Sequence, residues 1–340
     1  MKNLIFRADG NAQIGMGHVM RCLALAQMLG GAFRFAIVQP TPEVVQFIEE
    51  ANGTVVRLVT TDNADFLAAT TPDDVAVLDG YTFGEMDQRS VRERVAKLVF
   101  IDDLMIGHQV ADVVINHAGG ITETDYDADP YTVFCLGPHY ALLRPEFLRP
   151  EGFGSPHADG PIFVSMGGAD PHNTSLTVLE AIRQSDATRP VHIVLGPFHP
   201  DRAAIEAFQS QLPNLTLLQN LSAAAMVAEL QQCSLAITAC STIAYEVCAV
   251  NRPLIAIVTA DNQDRLAQFL SEEKLALSVN FPKLLSQLTP SIGLDTALRL
   301  SIQSAEFSPD AVMNTLANQR RFFDGLSPER FRALFDGLCA

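Results

Sequence analysis

The 340-residue sequence predicts an α/β protein with two doubly wound parallel-sheet domains facing a cleft. Three features lead there: the length, a rhythm of short apolar runs alternating with helix-like windows, and one Pro/Gly-rich interruption of that rhythm. A single hydrophobic core seldom grows beyond about 250–300 residues, so a chain of this length divides. The apolar set makes up 48% of it, enough to fill two interiors.

The first half runs apolar at residues 4–6, 35–38, 75–78, 98–101 and 113–115, with helical windows at 19–29, 42–51 and 86–95. Short continuous apolar runs mark strands covered on both faces, and parallel neighbours require helical crossovers. Residues 137–160 stop the rhythm. Pro138, Pro145, Pro150 and Pro156, with Gly152, Gly154 and Gly160, make a poor element interior and a suitable domain crossing.

Strand-like runs return at 162–166, 191–195, 215–218, 235–238 and 254–258, separated by helical windows at 173–183, 203–208, 223–230 and 243–249. Beyond residue 284 the chain reads as mostly helical. Phe323-Asp324-Gly325-Leu326 recurs once as Phe335-Asp336-Gly337-Leu338, too little for a repeat architecture. The expected divisions are residues 1–150, residues 151–285 and a helical extension over 286–340.

Thirty-nine acidic residues against 23 Lys plus Arg give a net charge of -16, which repels a nucleic-acid backbone. An anionic nucleotide still has a place at helix starts, where unpaired N–H groups supply positive potential. Cys22, Cys135, Cys233, Cys240, Cys248 and Cys339 are scattered among apolar neighbours, with no C-x-x-C pair. Buried thiols, no cleavable leader and no apolar stretch of roughly 20 residues point to the cytoplasm and to no membrane span. No residue spacing suggests a metal site or a bound cofactor, and no protein partner is inferred.

The sharpest local feature is residues 14–22, a loop running from the first strand into the first helix. Gly15 and Gly17 permit a tight turn and close ligand approach, but Met20 stands where a dinucleotide fingerprint needs its last glycine. His18 at its mouth is either a proton acceptor or a helix-start hydrogen-bonding residue. Arg21 either binds substrate or makes a surface salt bridge. Asp79 and Tyr81 follow one apolar run, Asp102 and Asp103 another, the positions where open sheets present ligand groups. Asp79 would orient His18 or a sugar hydroxyl and Tyr81 would reach a phosphate or water, while the Asp102/Asp103 pair reads as turn capping.

In the second half Ser165, Gly167, Gly168 and Asn173 surround a candidate nucleotide loop in which Asp170 would cap the helix and His172 would be solvated. Ser241 and Thr242 open another helix after a strand, with hydroxyls and amides suited to phosphate and Glu246 one turn on for ribose hydroxyls. The alternative there is a simple N-cap with Glu246 facing water. Asn262, between a strand and the next helix, would complete the site or else cap that helix, and His199 reads as a loop residue.

Five pieces together, Arg7-Ala8-Asp9, Gly15-Met16-Gly17-His18 through Cys22, Leu142-Leu143-Arg144-Pro145-Glu146-Phe147, Ser165-Met166-Gly167-Gly168-Ala169-Asp170 and Ser241-Thr242-Ile243-Ala244-Tyr245-Glu246, carry a resemblance. Over roughly residues 2–279 the chain resembles the bacterial UDP-sugar hydrolases of pseudaminic acid biosynthesis, which act on UDP-2,4-diacetamido-2,4,6-trideoxy-β-L-altropyranose. That family is similar to two-domain inverting glycosyltransferases, so the resemblance implies a glycosyltransferase-B-like fold with UDP held by the C-terminal domain. It implies His18 as the base that activates water, Tyr81 as a support, and Ser241, Thr242 and Asn262 as ligands of diphosphate or uridine, without a metal. The tail beyond about residue 282 and Gly80, where serine or histidine is familiar, depart from the pattern. A related UDP-sugar glycosyltransferase or a non-catalytic nucleotide-sugar sensor are the alternative expectations.

Overall fold

A computed structural model of the chain describes residues 3–10, 16–167, 170, 172–196, 199, 202–260, 263–280, 296–299, 301–302 and 308–339. Two units emerge, Met1–Pro145 with Leu326–Ala340, and Glu146–Gly325.

In the first unit the apolar runs become β1 (Asn3–Arg7), β2 (Phe33–Val38), β4 (Asp74–Asp79), β5 (Lys97–Ile101) and β7 (Val113–Asn116). Four further strands escape the sequence reading: β6 (His108–Gln109) and β8 (Asp127–Ala128), which pair with each other in a small separate sheet, and β3 (Gly53–Leu58) and β9 (Val133–Leu136). The last two form the edges of the main sheet, whose order is β3-β2-β1-β4-β5-β7-β9. In the edge strand β3 only Leu58 is buried and polar residues break the apolar run, whereas β9 is a short apolar run with no helical window before it. All pairings are parallel, with β1 between β2 and β4. Helices α1 (Gly17–Leu29), α2 (Pro42–Glu50), α3 (Asn63–Ala69) and α4 (Glu85–Arg92) supply crossovers. One core gathers Ile5, Ala76, Leu78, Phe66, Val91 and Phe100.

The second unit repeats the plan with β10 (Ile162–Ser165), β11 (Val191–Leu195), β12 (Leu215–Gln219), β13 (Leu235–Ala239), β14 (Leu254–Ile257) and β15 (Ser278–Asn280) in the order β12-β11-β10-β13-β14-β15. Its helices include α5 (Thr174–Asp186), α6 (Arg202–Phe208), α7 (Ala223–Gln232) and α8 (Thr242–Val250). In both sheets the strand order reverses beside the first strand, between β1 and β4 and between β10 and β13. Crossovers leave in opposite directions there, which opens a crevice at the carboxyl ends of the strands.

The tail is not a separate extension. Helix Pro309–Phe322 belongs to the second unit, where the Gln319 amide donates to the carbonyls of Arg252 and Leu275. Helix Ser327–Cys339 belongs to the first, with Arg332 donating to the Met28 carbonyl and Phe331 meeting Tyr140 edge to face.

Arg252 is 1% exposed and donates to the carbonyls of Leu230, Gln231, Val250, Asn251, Phe153 and Gly154. This one cation ties the linker segment, the end of α7 and the end of α8 together. Arg252→Met fills the volume but strands several buried acceptors, each costing about 1–3 kcal/mol. A lowered urea midpoint of unfolding, equivalent to a loss of about 3 kcal/mol or more, is the expected result; an unchanged midpoint would contradict it.

Candidate active site

The loop after β1 starts α1 at Gly17, so His18 stands at the carboxyl edge beside the end of β4. Asp79, the last residue of β4, is 0% exposed and organises everything around it. His18 Nδ1 lies 2.7 Å from Asp79 Oδ1. Arg21 donates to both carboxylate oxygens, through Nε at 2.6 Å and one terminal nitrogen at 2.6 Å, and through the other nitrogen to Asp103 at 2.7 Å. Cys22 Sγ donates to Asp79 Oδ2 at 3.7 Å.

The tautomer of His18 follows from these contacts. A ring nitrogen without a proton would be repelled by a carboxylate oxygen at this distance, so Nδ1 carries the proton and donates to Asp79. Arg21 also comes within 3.1 Å of Nδ1, but its hydrogen is better spent on Asp79 Oδ1. The lone pair therefore sits on Nε2, the arrangement a general base requires. Burial opposes charge on Arg21, yet Asp79 and Asp103 outweigh it and hold the guanidinium firmly protonated. Burial likewise opposes charge on Asp103, and Arg21 more than compensates, so its carboxyl stays below its usual range. Burial, with Asp79 beside it, pushes the Cys22 thiol well up, which leaves it a protonated donor instead of a nucleophile.

Tyr81 is 60% exposed and meets the His18 ring edge to face at 4.8 Å. Burial and the Asp103 charge raise its hydroxyl above the usual range, so it acts as a neutral donor. Between Asp79 and Tyr81 the chain turns with φ +156° at Gly80, where a Cβ would come within 3.1 Å of the Phe83 ring. That explains glycine at this position. Arg7 lies over the other side of this turn, 5.5 Å from the Phe83 ring centre and hydrogen-bonded to Asp9. A cavity of about 130 Å³ beside Arg21 is walled by Tyr81, Phe83, Phe100, Leu104 and Ile106.

Arg21 is thus not a surface bridge: its guanidinium is largely buried and held by Asp79 and Asp103 at the edge of the cavity. The two neighbouring aspartates divide their work. Asp102 accepts from the Leu104 and Met105 amides and from the Tyr126 hydroxyl, which is turn capping as expected. Asp103 joins the charged cluster, and sequence reasoning missed it.

In the second unit Ser165 ends β10 and is buried, and Gly167 turns with φ +82°. Asp170 accepts from the Thr174 and Ser175 amides, so a carboxylate already occupies the start of α5. The Asn173 side-chain oxygen and the Ser175 hydroxyl are buried there with no hydrogen-bond partner among the described residues. His172 is exposed, as expected, and His199 is a loop residue, as expected, with its side chain buried 3.4 Å from Asp170. Helix α8 differs. Ser241 precedes it with no side-chain cap, and Thr242 is exposed at its first position. Glu246 is buried rather than facing water. Gly15, Gly168 and Asn262 lie outside the described residues.

Among the described residues no cluster of His, Cys, Asp or Glu is arranged to hold a metal ion, and no helix is long and apolar enough to cross a membrane. Cys22, Cys135, Cys233, Cys240 and Cys248 are buried free thiols.

No family model matches the sequence. An uncharacterized protein of Methanocaldococcus jannaschii is 30% identical over 202 residues, covering 56% of this chain, which spans only 41% of that protein. The UDP-2,4-diacetamido-2,4,6-trideoxy-beta-L-altropyranose hydrolase of Campylobacter jejuni is 23% identical over 281 residues, 79% of this chain and 96% of that protein. Among solved structures, the calicheamicin glycosyltransferase CalG4 superposes with a TM-score of 0.67 at 16% identity, over 99% of this chain and 98% of that one. LpCGTa in complex with UDP gives a TM-score of 0.67 at 13% identity over 100% of both chains. The two parallel α/β sheets of this protein thus have the GT-B fold of the glycosyltransferases.

Proposed function

We propose that this protein is an enzyme that displaces UDP from the anomeric carbon of a UDP-sugar, the glycosyltransferase type of reaction. The observation that carries the reading is His18 held by Asp79 with its Nε2 lone pair available, at the strand-order reversal of the first sheet. In this reading Nε2 takes the proton of the attacking hydroxyl. The new C–O bond forms on the face opposite the nucleotide, and the old bond breaks with its electron pair going to the UDP oxygen. The anomeric centre inverts.

The second unit holds the nucleotide. The uncapped start of α8, with Ser241 and Thr242, supplies donors to the diphosphate as its charge grows, while Ser165, Gly167 and Asn173 line the neighbouring loop. Glu246 serves the ribose hydroxyls. Backbone donors carry the charge stabilisation, and no metal or cofactor is called on.

The fold comparisons favour transfer to an acceptor. The Campylobacter relative favours a finer reading in which water attacks, and UDP-2,4-diacetamido-2,4,6-trideoxy-β-L-altropyranose yields UDP and free 2,4-diacetamido-2,4,6-trideoxy-L-altrose. One reaction in isotopically labelled water separates them, with mass spectrometry of both products and early NMR of the released anomer. Label in the sugar with inversion selects hydrolysis, and turnover only after an acceptor is added selects transfer. Label in UDP overturns displacement at the anomeric carbon in favour of water attack at phosphorus, and saturable UDP-sugar binding without any turnover overturns the enzyme reading in favour of a sensor.

A further inference from the structure

The cavity beside Arg21 has an inner wall that is ordinary core and a mouth that is not. Phe83 and Phe100 line it and are buried, whereas Tyr81, Leu104 and Ile106 line it and stay 60%, 45% and 74% exposed. Single exposed apolar residues are ordinary on a protein surface, but three around one cavity at the carboxyl edge of a sheet mark a binding site for an apolar group. The turn that carries Leu104 and Ile106 is held in place. The Leu104 and Met105 amides donate to the buried Asp102 carboxylate at 3.0 and 2.8 Å, and the Gln109 side-chain amide donates to the Ile106 and Gly107 carbonyls at 3.2 Å each. Met105 adopts φ +54°, a left-handed backbone that a side chain makes costly. Folding gains little from apolar side chains left in water, so this turn maintains a rim that only a ligand buries.

The cavity also adjoins the proposed base. Tyr81, part of its wall, meets the His18 ring at 4.8 Å between centroids, and Arg21, at its edge, comes within 3.1 Å of His18 Nδ1. A sugar attacked at its anomeric carbon beside His18 carries its ring substituents only a few bonds from that carbon, which brings one of them within reach of the cavity. The volume limits what enters. A cavity of about 150 Å³ lined by Leu, Ile and Phe takes a benzene ring. At about 130 Å³ this one takes a substituent, not a second sugar or a lipid chain. The polar groups at its edge are already bonded within the protein, Arg21 to Asp79 and Asp103, and Asp102 to its own turn and the Tyr126 hydroxyl. A hydroxyl set against Phe83 and Phe100 gives up its bonds to water, whereas a methyl group there gains by leaving water.

We infer that this cavity is a specificity pocket for the reacting sugar, which receives a methyl-bearing substituent, an N-acyl group or a deoxy carbon, and discriminates against a hydroxyl at the same position. Leu104 and Ile106 are its specificity-determining residues. This rests on the UDP-sugar reading above and adds to it the class of sugar, whether water or an acceptor attacks.

Release of UDP from UDP-glucose, UDP-N-acetylglucosamine, UDP-6-deoxyglucose and UDP-2,4-diacetamido-2,4,6-trideoxy-β-L-altropyranose, with the water or acceptor that wild type uses, reads the preference. A group of methyl size in an apolar pocket is worth about 10–200-fold, so wild type is expected to favour the best methyl-bearing sugar over UDP-glucose by at least about tenfold in kcat/KM. Leu104→Asn combined with Ile106→Asn is expected to bring that ratio to within about threefold. Both side chains are exposed, so the melting temperature and the affinity for UDP are expected to be kept. Met86→Ser is the control, an equally exposed apolar residue outside the cavity wall, and is expected to leave the ratio unchanged. Wild type that turns over UDP-glucose as well as the other sugars, a double variant that keeps the wild-type ratio, or an equal fall in Met86→Ser overturns the inference and leaves the UDP-sugar reading intact. A double variant that raises only the KM of an acceptor also overturns it and gives the cavity to the acceptor. Absence of wild-type turnover on every UDP-sugar overturns both.

Discussion

His18→Asn is expected to lower kcat about a thousand-fold, in the middle of the range that general-base catalysis contributes. Asparagine keeps a polar group near Asp79 but has no lone pair at the Nε2 position, so the nucleophile keeps its proton until late in the reaction. The affinity for UDP is expected to stay unchanged, because the groups assigned to the nucleotide lie in the second unit. Stopped assays of UDP release, paired with calorimetry of UDP binding to the same variant, read both quantities. Full activity in His18→Asn would remove the base assignment. Equal losses of UDP affinity and turnover would show that the substitution damaged the protein more widely.

Asp79→Asn is expected to be at least as damaging and to act in two ways. The carboxylate that holds the proton on His18 Nδ1 becomes an amide, whose NH2 group donates to Nδ1 and drives the ring proton to Nε2. The base is then in the wrong tautomer, and kcat is expected to fall by about 10³–10⁴. The same substitution removes one of the two anions facing Arg21, a cation that is 14% exposed in its side chain. Breaking a buried pair from one side costs about 3–5 kcal/mol; Asp103 still faces Arg21, so the low end applies, about 3 kcal/mol. Asp103→Asn is the comparison. It removes the other, more exposed anion without touching His18, so it is expected to lower stability less and to spare most of kcat. If Asp79→Asn and Asp103→Asn lose activity equally, the cluster is an electrostatic unit and not a base with its positioning residue.

The reading of individual residues divides along a physical line. His18, Asp79 and Tyr81 were legible because they sit where a strand run ends or a helix begins, and open parallel sheets present ligand groups at those ends. The role of Arg21 stayed open because helix position alone does not say whether Asp79, 58 residues on, lies within reach. Asp102 and Asp103 look alike as adjacent residues after one run, yet one points into its own turn and the other toward Arg21. For Asp170 local sequence sufficed, since a helix cap needs only neighbours along the chain. Glu246 was ambiguous because the face of α8 that meets the core depends on what packs against it.

By itself, then, the sequence determined what is local: apolar runs as buried strands, windows as crossover helices, a Pro/Gly-rich interruption, and the strand ends and helix starts that an open sheet offers to a ligand. The tertiary structure decided what depends on partners far away in the chain. It set β1 beside β4 and so brought His18 to Asp79 across 61 residues, added the edge strands β3 and β9, and divided the last two helices between the units. The reason is that a buried hydrogen bond is chosen by the order of strands in the sheet, and strand order follows from how helices cover both faces of the core, which no stretch of residues carries alone.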